Sequence, residues 1–224
     1  MPPAWMEKFI TRADVTPDAR LSSGARPAVE VHYTALTGGH RRILRVAGDT
    51  TPQWQVERQA KLGAWGSKCI VTRTGRGDKE TGESASEGTT LATIDFHTFS
   101  TKPYIEIERT QQRDIVKLYI NTQEFDASEC SRGKLGMLCR KDTGAPMKLY
   151  AGASWEMRET GVADGLVMSA AIDDSQSNGS IRIWRAGLDE HAIEQLIIVA
   201  IGQIEHHKYL TRVGKRSFVG VVMT

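Results

Sequence analysis

The chain has 224 residues and a formal net charge of +2; 40% of its residues are hydrophobic and 25% are charged. This is ordinary composition for a globular protein, and the length suits one large domain or two small ones. Because the net charge is small and the basic residues are scattered along the chain, we expect no nucleic-acid binding.

The N-terminal residues 1–27 are weakly periodic and contain several proline, alanine and serine residues. We expect a loosely ordered N-terminal arm here, with one short helical turn around residues 4–10. Residues 28–224 are then interpreted as a single domain.

Short segments with alternating apolar and polar residues follow, and this period of two predicts β-strands. The predicted strands are 29–34, 42–46, 53–58, 68–73, 90–99, 104–108, 114–120, 134–139, 147–150, 153–158, 166–172 and 179–185. Residues 125–131 are ambiguous. Residues 74–89 are rich in glycine, serine and charge, which predicts a flexible loop.

Near the C-terminus, residues 188–209 predict one helix, which we place at about 189–208. Acidic residues occupy its first turn and His206, His207 and Lys208 its last, an order that suits the helix dipole. Its middle, from Leu196 to Ile201, is apolar on every side, so we expect the rest of the chain to surround it. Residues 216–223 are expected to form one more strand or a packed tail.

Ten to twelve short strands before one buried helix favour a mainly β fold in which a closed antiparallel barrel encloses the helix. Such a barrel hides the strand edges and provides a lumen that the helix fills.

Three segments carry a resemblance to a known family: residues 91–107, residues 150–158 with their Trp-Glu-Met-Arg, and the helix from His191 to Lys208. The chain resembles the Tubby C-terminal domain, a plan also attributed to phospholipid scramblases and plant LURP-one-related proteins. It is most similar to the fungal Tubby C-terminal-like proteins, and the resemblance spans about residues 30–210. It implies a closed barrel around the apolar helix but supplies no catalytic motif. Tubby itself binds phosphoinositides through a basic surface pocket, for which this sequence offers no residue-by-residue counterpart.

The three cysteines, Cys69, Cys130 and Cys139, lack zinc-ligand spacing and are expected to be free thiols in a reducing compartment. No apolar run precedes Asp14, so we expect no secretory signal. No stretch reaches the ~20 apolar residues of a membrane span. We therefore expect an intracellular, cytoplasmic protein.

Asp95, His97 and Phe99 lie two apart on one predicted strand and would share a face. They would then line a cavity, with His97 as a general acid or base. The favoured alternative places them on the solvent face, with Ile94 and Phe96 pointing inward.

The helix carries polar residues that would need partners inside a barrel: His191, Glu194, Gln195, Gln203 and Glu205. Bonds from these groups to the backbone of the surrounding strands are favoured over bonds to a ligand. Adjacent His206 and His207 face different directions and are expected to cap the helix carbonyls rather than bind a metal.

Arg182, Trp184 and Arg185, together with Lys102 and Arg109, are a candidate anion-binding patch. We expect Arg182 and Trp184 on opposite faces of their strand, so that at most one faces a lumen. Arg182 is accordingly a candidate catalytic residue beside Asp95 and His97.

Large aromatic residues are candidates for holding a polycyclic or isoprenoid ligand, although they are more often core residues. They are Trp54, Trp65, Trp155, Trp184 and Phe99. No motif for a metal, a nucleotide or another cofactor is present, so no cofactor and no metal are predicted.

Three functions remain open. The first is a module that binds a hydrophobic or lipid-like small molecule. The second is a cofactor-free cyclase or isomerase, of the pericyclase type, that acts on a hydrophobic fungal metabolite, since such catalysis needs shape and a few donors rather than a nucleophile. The third is an adaptor in peripheral contact with an anionic membrane surface.

Overall fold

The structure, a computed structural model, describes residues 18–36, 40–61, 64–74, 89–96, 104–108, 115–119, 124–126, 134–140, 152–159 and 165–222. Only the backbone is described for the strands between residues 104 and 140 and for most of the chain beyond Tyr209. The predicted strand 147–150 and residues 75–88 of the predicted loop lie outside these ranges.

Twelve strands and one α-helix make up the described fold, which is mainly β as predicted. The strands are β1 Val29–Ala35, β2 Arg41–Val46, β3 Trp54–Lys61, β4 Ala64–Arg73, β5 Thr89–Asp95, β6 Tyr104–Glu108, β7 Ile115–Tyr119, β8 Glu124–Asp126, β9 Lys134–Arg140, β10 Ala153–Glu159, β11 Leu166–Ile172 and β12 Asn178–Ile183. The helix, α1, spans Glu190–Val222. A short 3₁₀ helix, Ala19–Leu21, lies in the part of the N-terminal arm that is described.

All twelve strands belong to one sheet with the order β7-β6-β5-β4-β3-β2-β1-β12-β11-β10-β9-β8. Each strand is antiparallel to its neighbour, and nearly all neighbours are consecutive in the chain. The exception is the seam between β1 and β12, where Val31 lies opposite Ile181. The sheet is therefore an up-and-down meander whose first and last strands pair with each other.

One face of the sheet is built by strict alternation along the strands. Tyr33 of β1 lies opposite Leu44 of β2, which lies opposite Trp54 of β3. On the next row Val56 lies opposite Val71 of β4. These side chains are buried together with the apolar part of α1, so they form the inner face and the core.

The sheet curls around α1, because side chains from both halves of the sheet contact the helix. Trp54 of β3 donates to Glu194 near the helix start. Trp155 of β10 packs edge-on against His207, about three and a half turns further along. The apolar middle of the helix, Leu196–Ile201, is fully buried as predicted.

The helix begins where the sequence predicts. Asp189 caps it, since its Oδ1 accepts a hydrogen bond from the backbone N–H of Ala192 at 2.7 Å. Gly187, with φ +76°, makes the turn that leads into it.

The predicted end of the helix is wrong. The helical backbone continues beyond residue 208 to Val222, so residues 216–222 are not a strand. His206 and His207 consequently lie inside the helix rather than at a capped end. Within the described residues, no helix is both long enough and apolar enough to cross a membrane.

Candidate functional site

A group of charged and polar side chains lies in the core where β1–β4 meet the middle of α1. We call it the Glu205 cluster; its members are Tyr33, Arg42, Arg58, Cys69, Glu205 and Lys208. Each of them is at most 2% exposed. Charged side chains so far from water are rare and need close partners.

Alternation places the strand members of the cluster on the inner face. Arg42 precedes Leu44 by two residues, and Arg58 follows Val56 by two, so each arginine shares the face of an inward apolar neighbour. Arg58 lies directly opposite Cys69 of β4. The same period of two that builds the apolar core therefore sends two arginines into it.

Glu205 of α1 forms ion pairs with both arginines, one at each carboxylate oxygen. Arg42 Nε lies 2.9 Å from Oε1, and Arg58 Nη2 lies 2.9 Å from Oε2. The Tyr33 hydroxyl donates a short hydrogen bond to Oε1. Lys208, one turn further along α1, lies 3.9 Å from Oε1 and donates to the Tyr33 hydroxyl at 3.0 Å.

Burial and the neighbouring charges move the pKa values of Glu205, Cys69 and Tyr33 away from neutral pH. Burial by itself raises the pKa of Glu205, but the charges of Arg42, Lys208 and Arg58 outweigh it and lower the pKa to about 2. Burial and the Glu205 charge raise the pKa of Cys69 to about 12 and raise that of Tyr33 well above its ordinary value. Groups that exchange protons efficiently need pKa values near the working pH, so this cluster is built to hold the helix rather than to move protons.

An aromatic stack continues from the cluster along α1. His206 stacks on Phe96 with ring centroids 6.0 Å apart, and Tyr209 stacks on Phe96 at 5.3 Å. The Arg58 guanidinium lies 4.9 Å from the Phe96 ring centre. Burial lowers the pKa of His206 to about 4, with a smaller contribution from His207, so the imidazole is neutral at pH 7. The prediction that these histidines cap the helix end is wrong, because they pack against aromatic rings inside the fold.

A second set of polar contacts lies at the start of the helix. Glu194 Oε1 accepts the indole N–H of Trp54 at 3.1 Å and is also 2.8 Å from Arg73 Nη2. His191 and Gln195, which are one turn apart on either side of Glu194, bond to each other through a 2.8 Å contact. Glu194 and Glu205 thus find their partners in strand side chains, whereas the favoured sequence interpretation expects buried polar groups of the helix to bond strand backbone.

Two predicted ligand residues, Trp54 and Trp155, lie inside the curled sheet and are 5% and 2% exposed. Both contact α1: Trp54 bonds Glu194, and Trp155 packs on His207. Of the other aromatic candidates, Trp65 lies on β4, where the structure describes only its backbone. Phe99 lies outside the described residues. The helix therefore occupies the space that an interior ligand would need beside Trp54 and Trp155.

The three catalytic candidates are not brought together in the described structure. Asp95 lies on the outer face, opposite Lys68, which is 3.1 Å away. Arg182 also lies on the outer face, opposite Glu30, and its Nε donates to Glu30 Oε1 at 2.8 Å. His97, like Lys102 and Arg109, lies outside the described residues.

The expectation that Arg182 and Trp184 lie on opposite faces is wrong, because Trp184, one residue beyond β12, contacts the outer face that also carries Arg182. The Trp184 indole N–H donates to Ser169 Oγ at 2.9 Å. Ser169 lies directly opposite Arg182 in the sheet. Trp184 is half-buried, and Arg182 is 39% exposed.

Sequence reasoning identified Glu205 as a buried polar group but missed its partners Tyr33, Arg42 and Arg58. A signal for them was present, since each occupies an inward position in an alternating strand. Among the residues that the structure describes, no group of three or more metal-ligating side chains is found.

No protein-family model matches this chain, and no curated protein shows significant similarity to it.

Proposed function

We propose that the sheet closes into a Tubby-like barrel around α1 and that the protein is a binding module for a hydrophobic or lipid-like small molecule, held on the outer surface of that barrel. The observation that carries the proposal is the filled interior. The buried helix packs against Trp54 and Trp155, and the Glu205 cluster fixes it there.

Chain connectivity supports closure of the barrel. The two edges of the sheet are β7 and β8, which are consecutive in the chain and separated only by residues 120–123. A link of that length spans at most about 18 Å even when fully extended. The end of β7 and the start of β8 therefore lie within that distance of each other, which is compatible with the closed meander that we propose.

Trp184 is the described aromatic candidate that a surface ligand can reach. Its ring is half-buried on the outer face and is oriented by the bond to Ser169. Arg182 lies beside it, in an ion pair with Glu30 that is open to solvent. An exposed pair of this kind is weak, so it can exchange partners with an anionic group on a ligand. An apolar body with one polar or anionic end suits this arrangement.

Charge pairing on the outer face argues against a membrane-surface adaptor. Four basic side chains there lie in ion pairs with carboxylates: Arg41 with Glu57, Lys68 with Asp95, Arg158 with Glu156 and Arg182 with Glu30. In each pair the positive charge is balanced by a negative one. Electrostatic recruitment to anionic lipid needs an excess of positive charge instead.

The proposal is tested by finding the ligand and then weakening its site. Native mass spectrometry of protein purified from its own source, followed by solvent extraction, should reveal a stoichiometric apolar companion. Trp184→Ala should weaken rebinding of that companion about tenfold, since the ring supplies apolar contact area. Leu36→Ala removes another exposed apolar side chain and is the matched control, with unchanged affinity.

Two results would contradict this function. Binding that is indifferent to Trp184→Ala would place the ligand elsewhere, and a folded protein with no affinity for apolar molecules would refute a binding module. Conversion of the extracted companion into a second compound by the purified protein would instead support the cyclase or isomerase.

A further inference from the structure

Three strand side chains bind the buried carboxylate of Glu205. They are Tyr33 of β1, Arg42 of β2 and Arg58 of β3, and the two arginines form ion pairs with different carboxylate oxygens. Planar guanidinium groups match the planar carboxylate in shape as well as in charge. Only the bound carboxylate and Lys208 come from the helix.

Other contacts hold the arginines in place independently of Glu205. Arg58 Nη1 donates to the carbonyl of Gly66 at 3.1 Å, and its guanidinium lies over the Phe96 ring. Arg42 Nε also donates to the Tyr33 hydroxyl at 3.1 Å. Donors that are fixed in advance bind an anion without first having to be ordered.

Burial makes this arrangement selective for an anion of the right size. Arg42, Arg58 and Glu205 side chains are at most 1% exposed, so no water screens the charges. Two buried guanidinium groups deprived of a carboxylate would be strongly unfavourable. An empty site would therefore take up a replacement anion that fits.

We propose that Tyr33, Arg42 and Arg58 form a carboxylate-binding site on the inner face of the sheet, and that Glu205 is its built-in ligand. While α1 is seated, the helix itself occupies this site. A small monocarboxylate takes the place of the Glu205 side chain once that side chain is removed. This inference is independent of the surface ligand proposed above.

Chemical rescue of Glu205→Ala in the full-length chain tests the proposal. The substitution removes one methylene and the carboxylate, which together have the shape of acetate. Acetate at about 0.5 M should raise the melting temperature of Glu205→Ala by about 3–6 °C over chloride at equal ionic strength, as expected for a ligand at roughly ten times its Kd. Benzoate, which is too large for the space, should give no such rise.

Three variants separate site occupancy from a general salt effect. Glu205→Gln fills the space with a neutral amide, and acetate should leave its melting temperature unchanged. Glu194→Ala removes another helix carboxylate, one bonded to the partly exposed Arg73, and should also show no acetate rescue. Adding Arg58→Met to Glu205→Ala should abolish the rescue.

If Glu205→Ala does not fold in chloride, the same comparison is made on the yield of soluble protein after refolding, which acetate should increase severalfold. Equal effects of acetate and chloride on either readout would overturn the proposal. Rescue that persists without Arg58 would overturn it as well.

Discussion

Glu205 is a buried carboxylate surrounded by positively charged and hydrogen-bonding side chains. Two arginines, a lysine and a tyrosine contact its carboxylate inside the core. A buried ion pair adds little to stability compared with a well-packed apolar replacement, but removing one partner leaves the others buried without their counter-charge. The main effect of losing Glu205 would therefore be that Arg42, Arg58 and Lys208 remain buried without a counter-charge, rather than the loss of a large favourable interaction energy.

Glu205→Ala should lower the free energy of unfolding by about 3–5 kcal/mol, because it strips the carboxylate from Arg42 and Arg58. Urea unfolding followed by circular dichroism measures the change. The matched control is Glu57→Ala on the outer face, where Glu57 and Arg41 are 47% and 60% exposed; its expected cost is below about 1 kcal/mol. Similar costs for the two substitutions would contradict the buried arrangement of the cluster.

His206 gives the protein a dependence on pH of definite sign. Its folded pKa is about 4 and its ordinary value is 6.5. Between these values the unfolded chain binds a proton that the folded chain does not, so the free energy of unfolding falls as the pH falls from 6.5 towards 4. The loss reaches roughly 3 kcal/mol at the lower limit. Glu205 adds to it below pH 4.5, where its unfolded carboxyl takes up a proton and its folded carboxylate does not.

Replacing the imidazole isolates its share of this dependence. His206→Phe keeps a ring beside Phe96 and removes the titrating group. Urea unfolding at several pH values between about 7.5 and 4.5 should show a slope reduced by up to one proton relative to the native chain. An unchanged slope would mean that other groups account for the acid sensitivity.

At the scale of elements, α1 combines two kinds of contact along its length. From Ala192 to Ile204 it is almost entirely buried and mostly apolar, and from Glu205 to Lys208 it presents polar and aromatic groups to matching strand residues. The apolar part supplies most of the burial, which is non-directional. The polar part fixes the depth and rotation of the helix, because its bonds are satisfied in one position only.

Ile198→Asp tests whether the helix is central. Ile198 is 1% exposed, so a carboxylate there would be buried among apolar side chains and should cost several kcal/mol, enough to prevent soluble folding. The control is His191→Asp, an exposed position in the first turn, where an acidic residue suits the helix dipole and should change stability by less than about 1 kcal/mol. Soluble expression and thermal melting are the measurements. Normal melting of Ile198→Asp would refute a central helix.

At the scale of the whole molecule, the described sheet has two edge strands, β7 and β8, and the proposed barrel requires these two strands to pair. The other eleven neighbouring strand pairs of such a barrel are hydrogen-bonded in the described structure. Closure would remove the two exposed edges, which otherwise invite pairing with other chains.

Hydrogen exchange tests the closure directly. If β7 pairs with β8, backbone amides of both strands that point towards the junction should exchange as slowly as amides in β6 and β9. Exchange is measured by mass spectrometry or NMR on the native protein. Amides of β3 and β4, which are paired on both sides, provide the protected reference. Rapid exchange confined to β7 and β8 would show an open sheet with two free edges.

Local patterns in the sequence were sufficient to predict most elements. Strand-like segments of the sequence, several of them with a period of two, coincide with eleven of the twelve strands, and an all-apolar helical segment identified the buried helix and its start at Asp189. The ambiguity over 125–131 and the wrong helix end at 208 have the same cause. In both places apolar spacing is short or mixed, so local propensity does not decide the structure.

The β-rich class, the inward faces of the strands and the burial of α1 follow from the spacing of apolar residues along a strand or helix. Which residues meet depends on the three-dimensional packing. Tyr33, Arg42 and Arg58 come together with Glu205 from positions about 150 to 170 residues away. The depth and rotation of the helix inside the sheet set that meeting. Those depend on the packing of the whole core, to which no local pattern in the chain corresponds.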